Sequence, residues 1–179
     1  MKNKIFIIAF FLIDITGFSQ SQITYKQFNK TVSLNPNADH DLQLIADYLQ
    51  ALTVAGDVAK ARSFLSPTAL TYGPGGKDSI NSVDDLQNWE KSYQVHLDRK
   101  INYVSMTWRA LQEGFYKGDW VANWGIYSFT DKDSGKRMDV SYHFVSKIVN
   151  GKISTSWLYY DKLGTMLESG FTMQPPSKH

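Results

Sequence analysis

The second half of this 179-residue chain carries four long runs rich in β-branched and aromatic residues. They are INYVSMTWRAL from Ile101, DWVANWGIYSFT from Asp119, RMDVSYHFVSKIV from Arg137 and KISTSWLYYD from Lys152. Turn-forming stretches separate them at 113–118, at 131–135 and at Asn150-Gly151. Residues of these types pack well on pleated surfaces, and short loops between them join antiparallel neighbours. A meander of this length must bury one face, so the rest of the chain has to cover it.

The first half supplies the cover. Asn37 or Asp39 can cap a helix whose Leu42, Ile45, Leu49 and Leu52 recur at spacings of 3, 4 and 3, which is one helical stripe. Gly56 fits its end, and Asp57 can cap a shorter helix ended by Ser66-Pro67. Ala69–Tyr72 reads as a short strand. Ser82 with Asp85 resembles a capping box ahead of Val83, Leu86, Trp89, Tyr93 and Leu97, a third helical stripe. Helices first and strands after predict an α+β domain, with helices packed on one face of a curved antiparallel sheet.

Asn150-Gly151 fixes the expected register of the last hairpin. A two-residue type I′ turn pairs Val149 with Lys152, so His143 opposes Leu158, Phe144 opposes Trp157 and Val140 opposes Asp161. One face then holds Tyr142, Phe144, Trp157, Tyr159 and Asp161, an aromatic surface fit for covering by helices or by a second copy. The other holds Asp139, Ser141, His143, Val145, Leu158 and Tyr160, a mixture that suits a pocket wall. His143 and Asp161 fall on opposite faces, which argues against a catalytic dyad. Asp161 is expected to cap the strand end or the following turn.

Composition excludes several functions. Lys and Arg total 19 against 17 Asp and Glu, with no basic run of three, so no nucleic-acid partner is expected. The chain has no cysteine, which removes disulfides, thiol catalysis and Cys-zinc sites. No two histidines have ligand spacing, so neither metal nor cofactor is expected. Gly73–Ser79 resembles a phosphate loop but lacks the required Gly-Lys-Ser/Thr ending and reads as a turn.

The start of the chain has the pattern of an export signal. A positive MKNK precedes nine apolar residues, Ile5–Ile13, and small residues at Gly17 and Ser19. The apolar run is too short to span a bilayer as a helix. The expected organisation is a signal peptide at 1–21, a lead-in at 22–37, one domain at 38–173 and a tail at 174–179. The product is then exported, periplasmic or secreted, with no stable membrane anchoring after cleavage.

Gly118-Asp119-Trp120-Val121, Tyr142-His143-Phe144, Asn150-Gly151-Lys152-Ile153 and Trp157–Asp161 follow one another in an order that resembles the SnoaL-like branch of the NTF2-like (nuclear transport factor 2-like) superfamily. The WG-x-Y and YH pairs on adjacent strands are similar to a group of Bacteroidetes members. The resemblance spans about residues 40–173. It implies a cone-shaped α+β barrel, a curved antiparallel sheet wrapped around three N-terminal helices and a deep apolar pocket, with homodimers formed through the outer sheet face. Members include isomerases, polyketide cyclases, dehydratases and epoxide hydrolases.

The epoxide hydrolase route is not expected, because Leu158 stands where that branch has its inner catalytic Asp. The resemblance turns Leu158, and with it His143 and Tyr160, inward. The expected ligand-binding residues are Tyr72, Trp89, Trp124, His143, Leu158 and Tyr160, around a small apolar or aromatic molecule. His143 is the candidate for proton transfer, because an imidazole titrates near neutrality, and Tyr160 or Tyr72 for hydrogen-bond donation. Trp124 is expected beside His143. The expected dimer face is Tyr142, Phe144, Trp157 and Tyr159. Binding without chemistry, an isomerase, cyclase or dehydratase activity, and a dimeric interaction module all remain open on these grounds.

Overall fold

The computed structural model of the chain describes residues 31–75 and 78–174. The expected export segment, most of the lead-in and residues 175–179 lie outside the described residues. The elements run β1 (Val32–Ser33), α1 (Ala38–Leu49), α2 (Val58–Phe64), β2 (Leu65–Tyr72), β3 (Ser79–Asn81), α3 (Ser82–Ser92), β4 (His96–Ala110), β5 (Gly118–Asp131), β6 (Arg137–Val149), β7 (Lys152–Tyr160) and α4 (Lys162–Glu168). The class is α+β, as the order of elements predicts.

Among the described residues one curved, unclosed sheet of seven strands has the order β1-β4-β5-β6-β7-β2-β3. The meander β4 to β7 is antiparallel, and β2 joins its far side parallel to β7. Helices α1 to α3 pack on the inner face. Ile45, Leu49 and Leu52 of the first stripe meet Val121, Phe144, Ile148 and Ile153 of the sheet in one buried core.

The first helix does not stop at Leu49. It continues as a π-helical stretch, Gln50–Ala55, and ends at Gly56 with φ 72°, a left-handed position that favours glycine. Thr53 Oγ1 donates to the Leu49 carbonyl at 2.7 Å. Short π-helical segments often mark functional sites. The third helix ends at Ser92, earlier than the apolar spacing to Leu97 implies, and His96 already begins β4. Its N-cap is Asn81, whose side chain accepts from the Val83 N–H at 2.9 Å. Asp85 is therefore free of the capping role read from Ser82.

The last hairpin corrects the expected register. Asn150 and Gly151 turn with φ 51° and 68° and pair Val149 with Lys152, as the type I′ turn predicts. After Ile148–Ile153 the pairing slips by one residue, and Lys147 opposes Thr155. Ser154 is the extra residue of this β-bulge, and its hydroxyl donates to the Lys147 carbonyl at 3.1 Å. Beyond the bulge Tyr142 opposes Tyr160, Phe144 opposes Leu158 and His143 opposes Tyr159. The parity of β7 stays as expected and that of β6 reverses. Tyr142 and Phe144 face inward, while His143 faces outward.

Candidate functional site

A cavity of about 400 Å³ lies between α1 with its π-helical extension, α3 and the inner face of the sheet. That is within the range of small-molecule sites. Its walls are mostly rings and aliphatic groups. Tyr48 and Leu52 come from the first helix, Trp89 from α3, and Tyr127, Phe144 and Leu158 from the sheet. Trp89 meets Tyr127 edge-on at 5.8 Å, and Tyr48 lies 6.1 Å from Phe144 in a stacked arrangement. These contacts fix the walls in defined rotamers.

Thr53, Thr71 and Thr165 add hydroxyls to these walls, and ionisable groups stand at two places. Asp85 stands in the first turn of α3, and Ser92 and His96 follow farther along. Ser92 lies seven positions after Asp85 on the helix, about 10 Å at 1.5 Å per residue. The cavity is thus elongated along α3 with a polar group towards each end.

At the first end, burial pushes the Asp85 carboxyl above the ordinary aspartate value, against hydrogen bonds from the Asn88 and Trp89 side chains. Asn88 Nδ2 donates to Asp85 Oδ1 at 3.2 Å. Burial, and then the Asp85 charge, push the Tyr48 and Tyr160 phenols up. Asp85 and these two rings therefore share one electrostatic environment, and the phenols stay protonated at neutral pH.

At the other end, burial lowers the pKa of His96 and keeps its imidazole neutral at pH 7. The ring stacks on Phe129 with centroids 3.6 Å apart, and Nδ1 lies 3.3 Å from the Tyr127 hydroxyl. Desolvation outweighs the attraction of Asp131.

The position of Asp85 carries a stability cost. Its folded pKa lies above the unfolded value, so the native state holds the proton longer as pH rises. Stability is then lost through that window and stays lower at neutral pH. Asp85→Asn keeps the acceptor for Asn88 and removes the charge. Its melting temperature should exceed that of the wild type at pH 7, and the difference should shrink near pH 3. Paired thermal melts at the two pH values check this; an unchanged or lower melting temperature at pH 7 would rule it out.

Of the residues expected around a ligand, Trp89, Leu158 and Tyr160 line the cavity. Tyr142 and Phe144, assigned to the dimer face, line it as well, because of the bulge. Three expected ligand residues are placed elsewhere. Trp124 does pair with His143, their rings 6.0 Å apart, but both belong to the outer face. Tyr72 stacks on Trp157 at 5.3 Å, beside Phe115 and Trp120. His143 thus has no access to the cavity as a proton carrier.

Asp161 does cap the following turn, accepting from the Gly164 N–H at 2.8 Å. Asp85 and His96 were missed because each sits where a helix pattern offers a local explanation. For Asp85 the available signal was its spacing with Trp89 and Ser92 on one stripe of α3; His96 begins β4 and carried no such signal.

No protein-family model and no curated protein matches the sequence. Solved structures do match. AclR, a proposed hydroxylase from Streptomyces galilaeus, is 16% identical with a TM-score of 0.60, over 78% of this chain and 89% of that one. IdmH, a proposed polyketide cyclase from Streptomyces antibioticus, is 17% identical with a TM-score of 0.55, over 73% and 98%. A proposed SnoaL-like polyketide cyclase from Shewanella denitrificans OS-217 is 17% identical with a TM-score of 0.54, over 72% and 94%. Identities this low speak to the backbone only. From the strand order, the helices on the inner face and these matches together, the chain has the fold of the SnoaL-like polyketide cyclases and the NTF2-like proteins.

Proposed function

We propose that the protein binds a small, largely apolar or aromatic molecule in the cavity between α1, α3 and the inner sheet face. The observation that carries this reading is the wall itself: about 400 Å³ lined by rings and aliphatic groups, with few polar groups among them. Apolar walls of this extent gain by burial against an apolar ligand. Native mass spectrometry of residues 22–179 tests it. A small-molecule adduct that is lost on denaturation is the expected result. Absence of any adduct, with no change in Trp fluorescence on titration with aromatic probes, would remove the reading.

Proton transfer on the bound molecule is a second reading, and one observation favours it. Asp85 is a carboxylate on a mostly apolar wall, and burial raises its pKa above the ordinary aspartate value, the direction that suits a general acid–base group. Asp85, not His143, is then the proton carrier, and Tyr160 the neighbouring hydrogen-bond donor. Asp85→Asn should abolish turnover, whereas His143→Ala should leave it intact; the reverse result would defeat this assignment.

A homodimer through the outer face is supported by the apolar surface there. Val104 and Met106 are more than half exposed, at 56% and 52%, and Trp124, Ile126 and Tyr159 exceed 40%. The pairings of Val104 with Trp124, Trp124 with His143 and His143 with Tyr159 make this one continuous surface. The face differs from the expected one by the loss of Tyr142 and Phe144. Trp124→Glu should convert the dimer to a monomer in analytical ultracentrifugation without lowering the melting temperature; a monomeric wild type would discard the proposal. Export rests on the MKNK and Ile5–Ile13 pattern, and N-terminal sequencing of the mature protein tests it.

A further inference from the structure

Asp85 is the one formal charge that the described residues place on the cavity wall at neutral pH. Among the described residues no Lys, Arg or Glu lines the cavity, and His96 is held neutral. Asp85 forms no ion pair among the described residues. Arg99, which reaches the π-helical stretch from β4, is engaged elsewhere: it lies 4.4 Å over the Tyr93 ring and donates to the Val54 carbonyl at 3.0 Å.

Rings surround the carboxylate. Tyr48 and Tyr160 lie within its electrostatic reach, and Trp89, one helical turn further along α3, lines the same cavity. The faces of neutral rings carry negative potential, so all of these groups favour the same kind of visitor. A hydroxyl would satisfy a lone pair of Asp85 but leave its charge unbalanced. A cation offsets the charge of a carboxylate that the cavity has drawn partly out of water. The first-turn position of Asp85 gives partial help from the helix dipole, but solvent-exposed Asp84 in the same turn already serves that end of α3.

From this arrangement we infer that the natural occupant of the cavity is an organic ammonium: a mostly apolar, aromatic molecule whose protonated or quaternary nitrogen sits against Asp85, among Tyr48, Trp89 and Tyr160. The inference rests on the binding reading above and names its ligand class. It makes Asp85 a counter-ion and not a proton carrier.

Two probes of equal size and shape test it. Phenethylamine carries the cation, and phenethyl alcohol replaces it with a neutral hydroxyl. Isothermal titration calorimetry at pH 7.5 should show the amine binding about tenfold more tightly or better. In Asp85→Asn the preference should vanish while the alcohol still binds, which also shows that the variant is folded. Equal or tighter binding of the alcohol to the wild type would overturn the ammonium assignment and leave the binding reading standing. A preference for the amine that survives in Asp85→Asn would overturn it as well, because the cation would then be held elsewhere. Binding of neither probe would remove the cavity reading, and the ammonium with it.

Discussion

Gly125→Ala should cost about 3 kcal/mol or more, the largest single-residue loss expected in this fold. Gly125 lies in β5 between Tyr103 of β4 and Tyr142 of β6. A Cβ built there would stand 1.9 Å from the Asn102 carbonyl oxygen and 2.7 Å from the Tyr103 Cα. Both are backbone atoms, so no side-chain rotation relieves the overlap. The β4–β5 pairing has to open, and it is the longest in the sheet, running from Ala110–Gly118 to His96–Asp131.

With 2–4 °C per kcal/mol for a domain of this size, the melting temperature should fall by about 10 °C. Gly135→Ala is the control. Gly135 has φ 68° and no neighbour within 4 Å, so a methyl group there meets only the left-handed backbone cost of about 1–2 kcal/mol. Differential scanning calorimetry of both variants decides the matter. A loss at Gly125 no greater than at Gly135 would show that the strands have room to part.

The same glycine shows what is legible in such a sequence. In Trp124-Gly125-Ile126-Tyr127 it stands inside a run of strand formers, and a glycine there marks a bulge or a close backbone approach. Features set by a few adjacent residues came through. The Asn150-Gly151 turn needs only two residues that accept positive φ, and Gly56 ends its helix for the same reason. The α+β class followed from the order of periodicities.

What stayed hidden depends on partners distant in sequence. The bulge at Ser154 is not forced by its neighbours, yet it decides which residues of β6 line the cavity. One signal was present: Met138, Val140, Tyr142 and Phe144 alternate with Asp139, Ser141 and His143, and a strand with one buried face points its apolar set inward. Projecting the turn register along the whole hairpin overrode that alternation and turned His143 inward by mistake. Asp85 was hidden differently. Three residues after Ser82 it satisfied a capping pattern, while the cap belongs to Asn81.

Beneath the cavity wall, Asn123 and Tyr142 form a polar pair that should behave as one unit. Asn123 is fully buried; its Nδ2 donates to Ser105 Oγ at 2.8 Å and its Oδ1 accepts from the Tyr142 hydroxyl at 2.5 Å. Burial pushes the Tyr142 phenol up, so it remains a donor at any ordinary pH. Asn123→Leu keeps the volume and removes the acceptor, leaving that hydroxyl without a partner beside an apolar cavity. The cost should be about 2–3 kcal/mol, the penalty for stranding a buried polar group added to the lost bond.

Tyr142→Phe removes the donor, leaves an Asn123 oxygen unpaired and should cost about 1–2 kcal/mol. The double variant has neither orphan, and replacing both partners by apolar groups of similar shape can be nearly neutral. Its loss should therefore fall below the sum of the single losses by at least about 1 kcal/mol. Urea unfolding of the four proteins measures this coupling. Strict additivity would mean that the two groups find other partners, through water in the cavity, and would make Tyr142 a hydrated group of the binding site instead of a fixed part of its wall.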